Sequence, residues 1–355
     1  MAIYFCAYAY LAILAISSTC IFKNHSEKRK EYLSIGCFLM LFFLIALRHP
    51  SMGVDLGYGR SWGYITSFHK IASMSWEEVF ALKSFMNYEK GYVLLNKLIA
   101  TIYPNTQFYI AIIAFLSLVT VFFYVHKNSN APVCSTIVYM GVQVFLLTYS
   151  GLRQCIAIAL CCLAVEFIKT KQLFKFLLLI IVSCFFHSSS IVFVLAYPLY
   201  YVKLNFQMRL ISLLFLPILW IAKKPVFVFL CQVFGYTPKI DNNGAITLFL
   251  VFCLVYWFCL VFAPKSENGN LNLFFVACCI QAMAGLQSNL IRAGYSYAIS
   301  LIVLLPNTAK SIQNKKTKFI VNIVVIGAFV AFGLYSIYTT EWAQAYPYIP
   351  HWKNV

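Results

Sequence analysis

Long apolar runs separated by short polar or basic breaks organise this chain, as in Leu173 to Phe186 and Phe319 to Leu334. A bilayer core takes about 20 apolar helical residues, fewer where a half-helix turns back inside protein. The pattern therefore predicts an all-α, polytopic integral membrane protein with about 12 transmembrane helices, the count ranging from about 10 to about 13. The segments lie near residues 3–22, 32–47, 108–126, 133–149, 151–168, 173–186, 189–202, 210–222, 244–262, 271–287, 290–306 and 319–338. Residues 1–355 are expected to form a single integral membrane domain. Residues 48–107 are expected as a long outer-face loop, rich in aromatic residues such as Trp62, Tyr64, Phe68, Trp76 and Phe80. Ser75 before Trp76-Glu77-Glu78, and an apolar stripe through Tyr92, Leu95 and Leu98 to Ile99, predict short interfacial helices within it.

Composition sharpens this picture. Hydrophobic residues make up 62% of the chain and charged ones 10%, against about half and about a quarter in a soluble domain. That excludes a water-soluble globule. The 27 Lys and Arg exceed the 10 Asp and Glu, and in a membrane protein such an excess reports topology rather than nucleic-acid binding. Alternating the loops gathers Lys23, Lys28, Arg29, Lys30, Lys127, Lys169, Lys171, Lys175, Lys203, Arg209, Lys265, Lys310, Lys315, Lys316 and Lys318 on one side. The positive-inside rule makes that side cytoplasmic and places both termini outside. No Lys or Arg precedes Lys23, so Met1 to Phe22 is expected to stay as a span. The 13 Cys show no metal-ligand spacing and no disulfide framework, and no Walker loop, HExxH or dinucleotide fingerprint is present. Neither a metal nor a cofactor is expected.

Ionisable groups at membrane depth are costly and mark candidate sites. On the topology above, Arg48, Asp55, Arg153, His187 and Arg292 come from five separate stretches yet share the outer face. Arg153 follows Ser150-Gly151-Leu152 and Arg292 follows Asn289-Leu290-Ile291, which places each in the first turn of a helix. A cation there opposes the helix macrodipole unless an anion shares the site, so two such ends form a candidate phosphate pocket. His187 sits between two apolar runs, at a helical break, where a neutral imidazole can act as a general base or donate a hydrogen bond to a sugar or phosphate oxygen. Asp55, in the turn Gly53-Val54-Asp55-Leu56-Gly57-Tyr58, and Glu89, in Tyr88-Glu89-Lys90-Gly91-Tyr92, are carboxylate candidates for orienting the arginines or acting as base. Tyr58 and Tyr92 are candidates for contacting a sugar. Each residue also has a plain structural reading: a snorkelling Arg, a capped His, a turn Asp.

Arg48 with Gly53-Val54-Asp55-Leu56-Gly57-Tyr58, Tyr88-Glu89-Lys90-Gly91-Tyr92 with Leu95-Asn96-Lys97-Leu98, Leu152-Arg153-Gln154 with Ile156-Ala157, and Phe186-His187-Ser188-Ser189 together resemble the EpsG/Wzy-like family of polysaccharide repeat-unit polymerases. The likeness runs over roughly residues 30 to 300, in order and spacing. It implies a metal-independent membrane glycosyltransferase, broadly GT-C-like, in the bacterial inner membrane. Such an enzyme joins undecaprenyl-pyrophosphate-linked repeat units into O-antigen, capsule or exopolysaccharide on the outer face. Carried over, Arg153, Arg292 and Arg48 would hold the donor pyrophosphate, and His187, Asp55 or Glu89 would deprotonate the acceptor hydroxyl. The implied partners are the lipid-linked glycans and membrane lipid, with a chain-length regulator and a flippase as further candidates and no nucleic acid. Three alternatives remain open at this level: a lipid-linked oligosaccharide flippase, an O-antigen ligase and a membrane acyltransferase. A flippase would place charges near the midplane and on both faces.

Overall fold

The computed structural model describes residues 1–23, 25–82, 85–233, 237, 240 and 246–353, with backbone alone for 288–289. The described residues are helical and include no strand longer than a single bridge. The helices are α1 (Ala2–Ile21), α2 (Ser26–Ala46), α3 (Tyr64–Ser73), α4 (Trp76–Ala81), α5 (Lys90–Ile102), α6 (Thr106–Asn128), α7 (Pro132–Gly141), α8 (Leu152–Lys169), α9 (Leu173–Cys184), α10 (Ala196–Tyr200), α11 (Phe206–Ile221), α12 (Lys223–Val233), α13 (Ile246–Phe262), α14 (Asn268–Ala284), α15 (Ser288–Ala298), α16 (Leu301–Ser311) and α17 (Lys315–Thr339). Three of them, α1, α6 and α17, are long and apolar enough to cross a membrane. The bent pairs α11–α12 and α15–α16 bring the number to five if each is one span. This is the helical, multi-pass build of a membrane protein.

Several predicted segments are broken. The run 133–149 is helical only to Gly141, then turns irregularly into a short 3-10 helix, Phe145–Thr148. The run 189–202 begins as a 3-10 helix, Ser188–Leu195, before α10. Residues 223–233, between the predicted segments 210–222 and 244–262, form α12, set at 85° to α11. An apolar run specifies burial, but it does not specify whether the backbone continues straight or breaks and finds its partners elsewhere.

The helices cluster into two compact units, Met1–Ile191 with Asn322–Val355, and Val192–Val321. In the first, α6 packs against α2 and α8, and α8 against α9. One end of α6 meets the end of α2, where the Gln107 amide donates to the carbonyl of Arg48 at 3.1 Å. At its other end Asn128 donates to Glu166 of α8 at 2.7 Å. Arg48, Asp55, Glu89, Arg153 and His187 therefore lie toward one end of this unit, and the Asn128–Lys169 contact marks the other. The N-terminal Tyr4 and the tail residue Ala345 are at the Arg48 end too, joined by a hydrogen bond of 2.5 Å.

Residues 64–102 carry the expected short helices. Ser75 and Glu78 form a reciprocal capping box at the start of α4, a device that contributes about 1 kcal/mol. Two lysines of α5 close the other ends. Lys90 Nζ donates to the carbonyls of Val79, Phe80 and Leu82 at 2.7–3.1 Å, and Lys97 Nζ to those of Ala72 and Met74. The final carbonyls of α3 and α4 thus find donors, and positive charge meets the negative helix ends. The buried face of α5 runs through Tyr92, Val93, Asn96, Ile99 and Ala100, whereas Leu98 of the predicted stripe is 51% exposed.

Arg48 is fully buried. Its Nη1 and Nη2 donate to the carbonyls of Thr148 and Tyr149 at 2.5 and 3.1 Å, and the guanidinium lies 4.8 Å from the Tyr149 ring centre. The tail lies alongside: His49 N–H donates to Ile349 and His351 N–H to Leu47, at 2.7 and 2.8 Å. Gly53 follows, at φ +109°, where an added Cβ would fall 2.0 Å from the Tyr149 carbonyl oxygen. Arg48 is thus the donor for the irregular backbone between α7 and α8. In the second unit, α14 packs against α10, α11, α13 and α15, and Glu267 accepts from Asn270 and Asn307 at 2.6 and 2.7 Å, tying α14 to α16.

Replacing Arg48 with Met should strand two buried carbonyls, at about 1–3 kcal/mol each. The melting temperature in detergent should fall clearly for Arg48→Met and less for Arg48→Lys, which keeps one charged donor. A wild-type melting temperature for Arg48→Met would show that those carbonyls find other donors.

Candidate functional site

Three separate stretches meet at the carboxylate of Glu89. Arg153 Nη1 donates to Oε2 at 2.5 Å, the backbone N–H of Ser188 donates to Oε1 at 3.0 Å, and Nδ1 of His187 stands 3.4 Å from Oε1. That last contact has the distance of an ion pair but not the direction of a hydrogen bond, and Nδ1 is buried with no hydrogen-bond partner among the described residues. The Arg153 and Glu89 side chains are 17% and 18% exposed, so the pair stays within reach of a ligand.

Local sequence explains each placement. Glu89 is the N-cap residue of α5 but caps nothing in its own helix, because its side chain reaches across to Arg153 and Ser188. Gly91 permits this: a Cβ there would lie 2.7 Å from the Phe185 carbonyl oxygen, so only glycine lets the first turn of α5 press against the end of α9. His187 falls in the break between α9 and the 3-10 helix beginning at Ser188, as the sequence predicts. Gly151 is the N-cap of α8, which puts Arg153 in the first turn. Its Nη1 also donates to the carbonyl of Asn87 at 3.2 Å. Met86 and Asn87 both adopt positive φ, +48° and +57°, in the tight turn that aims this carbonyl. Such conformations cost on the order of 1 kcal/mol each and persist only where surrounding contacts fix them.

Aromatic rings wall the site. The Arg153 guanidinium lies 4.5 Å from the ring centre of Tyr88, and its Nε is 3.4 Å from the Tyr64 hydroxyl. Tyr64, Tyr88 and Tyr92 pack on one another with centres 5.5–5.7 Å apart. Asp55, exposed in the 3-10 turn Val54–Leu56, donates its backbone N–H to Ser150 Oγ at 3.1 Å. The phenols of Tyr64 and Tyr88 are pushed up, chiefly by burial, and the charge of Asp55 adds to both shifts, so this carboxylate lies within electrostatic reach of both rings.

Burial alone would raise the Glu89 carboxyl. The His187 imidazole, the Ser188 N–H and the Arg153 guanidinium outweigh it and hold the group down to about 2. Glu89 is accordingly ionised throughout the neutral range and too weak a base to take a proton from a hydroxyl. Its fitting role is to orient its two partners, Arg153 and His187.

The remaining candidates have other surroundings. Arg48 is enclosed and committed to carbonyls, so it is not presented to a ligand. Tyr92 is buried, its hydroxyl bonded to that of Tyr109, and is core rather than a sugar contact. Tyr58 is 47% exposed, edge-on to His49. Arg292 belongs to the second unit, exposed, and lies beyond the first turn of α15, whose N-cap is Gln287 rather than Asn289. Ser150 is likewise not the cap of α8. Sequence reading missed Tyr64, Tyr88, Gly91 and the Ser188 N–H, and Gly91, a glycine just inside a helix, was their one visible signal.

A family model, that of the EpsG family, matches residues 31–349. No curated protein and no solved structure matches the chain.

Gly91→Ala should push α5 away from Phe185 and open the Glu89–His187 contact, lowering activity about as much as changing His187 itself while the protein still accumulates in membranes. Wild-type activity in Gly91→Ala would show that the close approach is not required. The depressed Glu89 carboxyl stabilises the folded protein above its ordinary value near 4.5, and this stabilisation drains away as pH falls from there through about 2. The stability gap between wild type and Glu89→Gln, followed by melting against pH, should be level above about pH 4.5 and close below it.

Proposed function

This chain belongs to the EpsG family, and on that premise we propose that it joins undecaprenyl-pyrophosphate-linked oligosaccharide repeat units into O-antigen or a related surface polysaccharide on the outer face of the bacterial inner membrane. Membership supports a polysaccharide-polymerase type of function in a multi-pass membrane protein. The linkage to a lipid pyrophosphate, the outer-face orientation, the full count of about 12 spans, the broadly GT-C-like build and a metal-independent transfer are parts of the proposal. The observation that carries it is the convergence of Arg153, Glu89 and His187, from three distant stretches, at one end of the first unit.

In this reading His187 Nε2 takes the proton of the acceptor sugar hydroxyl. The freed oxygen bonds to the anomeric carbon of the donor as the bond from that carbon to the pyrophosphate oxygen breaks. The electron pair leaves on the pyrophosphate, whose growing charge meets the Arg153 guanidinium and the positive start of α8. A guanidinium at a helix N-terminus brings to the leaving group charge of the kind a bound cation could otherwise supply. Glu89 holds His187 with Nδ1 toward the carboxylate, leaving Nε2 for the acceptor, the division of labour found wherever a carboxylate orients a catalytic imidazole. Asp55, and Tyr58 exposed beside His49, are candidates for contacting the sugars. Arg292 takes no assigned step, and Arg48 serves the fold.

Deleting the gene in its own host and running the surface glycan on a gel tests the reading. Loss of long polymer, with a single repeat unit left on the final carrier, is expected. Arg153→Ala and His187→Ala should fail to restore polymer at normal protein levels, each lowering turnover by about 100-fold or more. Complete loss of surface glycan would favour a flippase or ligase, and unchanged length with a missing decoration an acyltransferase.

A further inference from the structure

A cation in the first turn of a helix calls for an anion, and at the start of α8 that anion is Glu89, at 2.5 Å from Arg153. The charges of Arg153 and Glu89 cancel, so the pair as it stands is no trap for a doubly charged ligand. The carboxylate is divided. Oε2 serves Arg153, while Oε1 accepts from Ser188 and faces His187 Nδ1, which is buried and carries no hydrogen bond among the described residues.

We propose that Glu89 is a displaceable stand-in for the donor diphosphate. It occupies Arg153 while the site is empty, yields that position to the diphosphate, and turns its charge to His187. The proposal rests on the reading of Arg153 and His187 given above. Its physical basis is that two anions cannot share one edge of a guanidinium without strong repulsion. Glu89 has an alternative place already begun, 3.4 Å from an imidazole nitrogen that lacks a partner, and a small side-chain rotation completes it. Once Nδ1–H donates to the carboxylate, the tautomer is fixed and Nε2 becomes the stronger base. Asp55, Tyr64, Tyr88 and Cys184 are further titratable groups around the cluster, while Glu89 is the group that touches both partners. The base therefore reaches full strength only with the donor seated. Glu89 acts as a positioning residue, and it couples occupancy of the leaving-group site to deprotonation of the acceptor.

The test uses the purified full-length protein in detergent with farnesyl diphosphate as probe, comparing wild type, Glu89→Gln and Arg153→Gln. Removing an internal competitor should tighten probe binding about tenfold in Glu89→Gln, while polymer formation falls about 100-fold. A merely structural glutamate would lose both together. Unchanged or weaker probe binding in a Glu89→Gln protein that melts as a folded protein overturns the displacement and leaves the assignment of Arg153 standing. Equal binding by wild type and Arg153→Gln overturns that assignment, and the displacement with it. Should Glu89→Gln fail to fold, Glu89→Asp, drawn back from Arg153 by one methylene, must show the gain in affinity, and its absence there equally overturns the proposal.

Discussion

Backbone that leaves a helix inside an apolar surrounding must find partners for its N–H and C=O groups, and between α7 and α8 this requirement falls on Arg48. Its two donations to Thr148 and Tyr149 settle the irregular stretch that follows Gly141. Gly53 packs against the same Tyr149 carbonyl, and Asp55 N–H binds Ser150. The first turn of α8, and with it Arg153, is held from that clasp outward. Two carbonyls and the Tyr149 ring hold this buried charge, and burial pushes its guanidinium down only to about 10, leaving it charged at neutral pH.

The site built on this support is economical in charge. Glu89 joins a guanidinium from α8 with an imidazole and a backbone N–H from the 187–188 stretch. None of the three would be held where it is without tertiary contact. The close approach of α5 to Phe185 is as important as the charges, because a carboxylate withdrawn by even an ångström or two would lose both partners at once. The aromatic wall of Tyr64 and Tyr88 fixes the face of the guanidinium and keeps it from swinging toward solvent.

The spacing places Arg153 at a helix start, as found, and of the two carboxylates offered to orient the arginines it is Glu89 that meets it. For Arg48 the costly buried charge is taken up by two backbone carbonyls. Arg292 was paired with Arg153 through Asn289, but its helix starts earlier, at Ser288, and the arginine falls past the first turn.

The sequence by itself determined the helical, membrane-borne class, the capping box at Ser75, the break at His187 and the set of ionisable residues worth attention. Each of these follows from local physics: apolar run length, a side chain reaching its own backbone, the loss of helix at a polar cluster. Which of those residues meet was decided only by the tertiary structure. Pairing Arg153 with Glu89, 64 positions away, depends on how α5, α8 and the 185–188 stretch pack. Packing is a sum of many small contacts among residues far apart in the chain, and no local pattern records it.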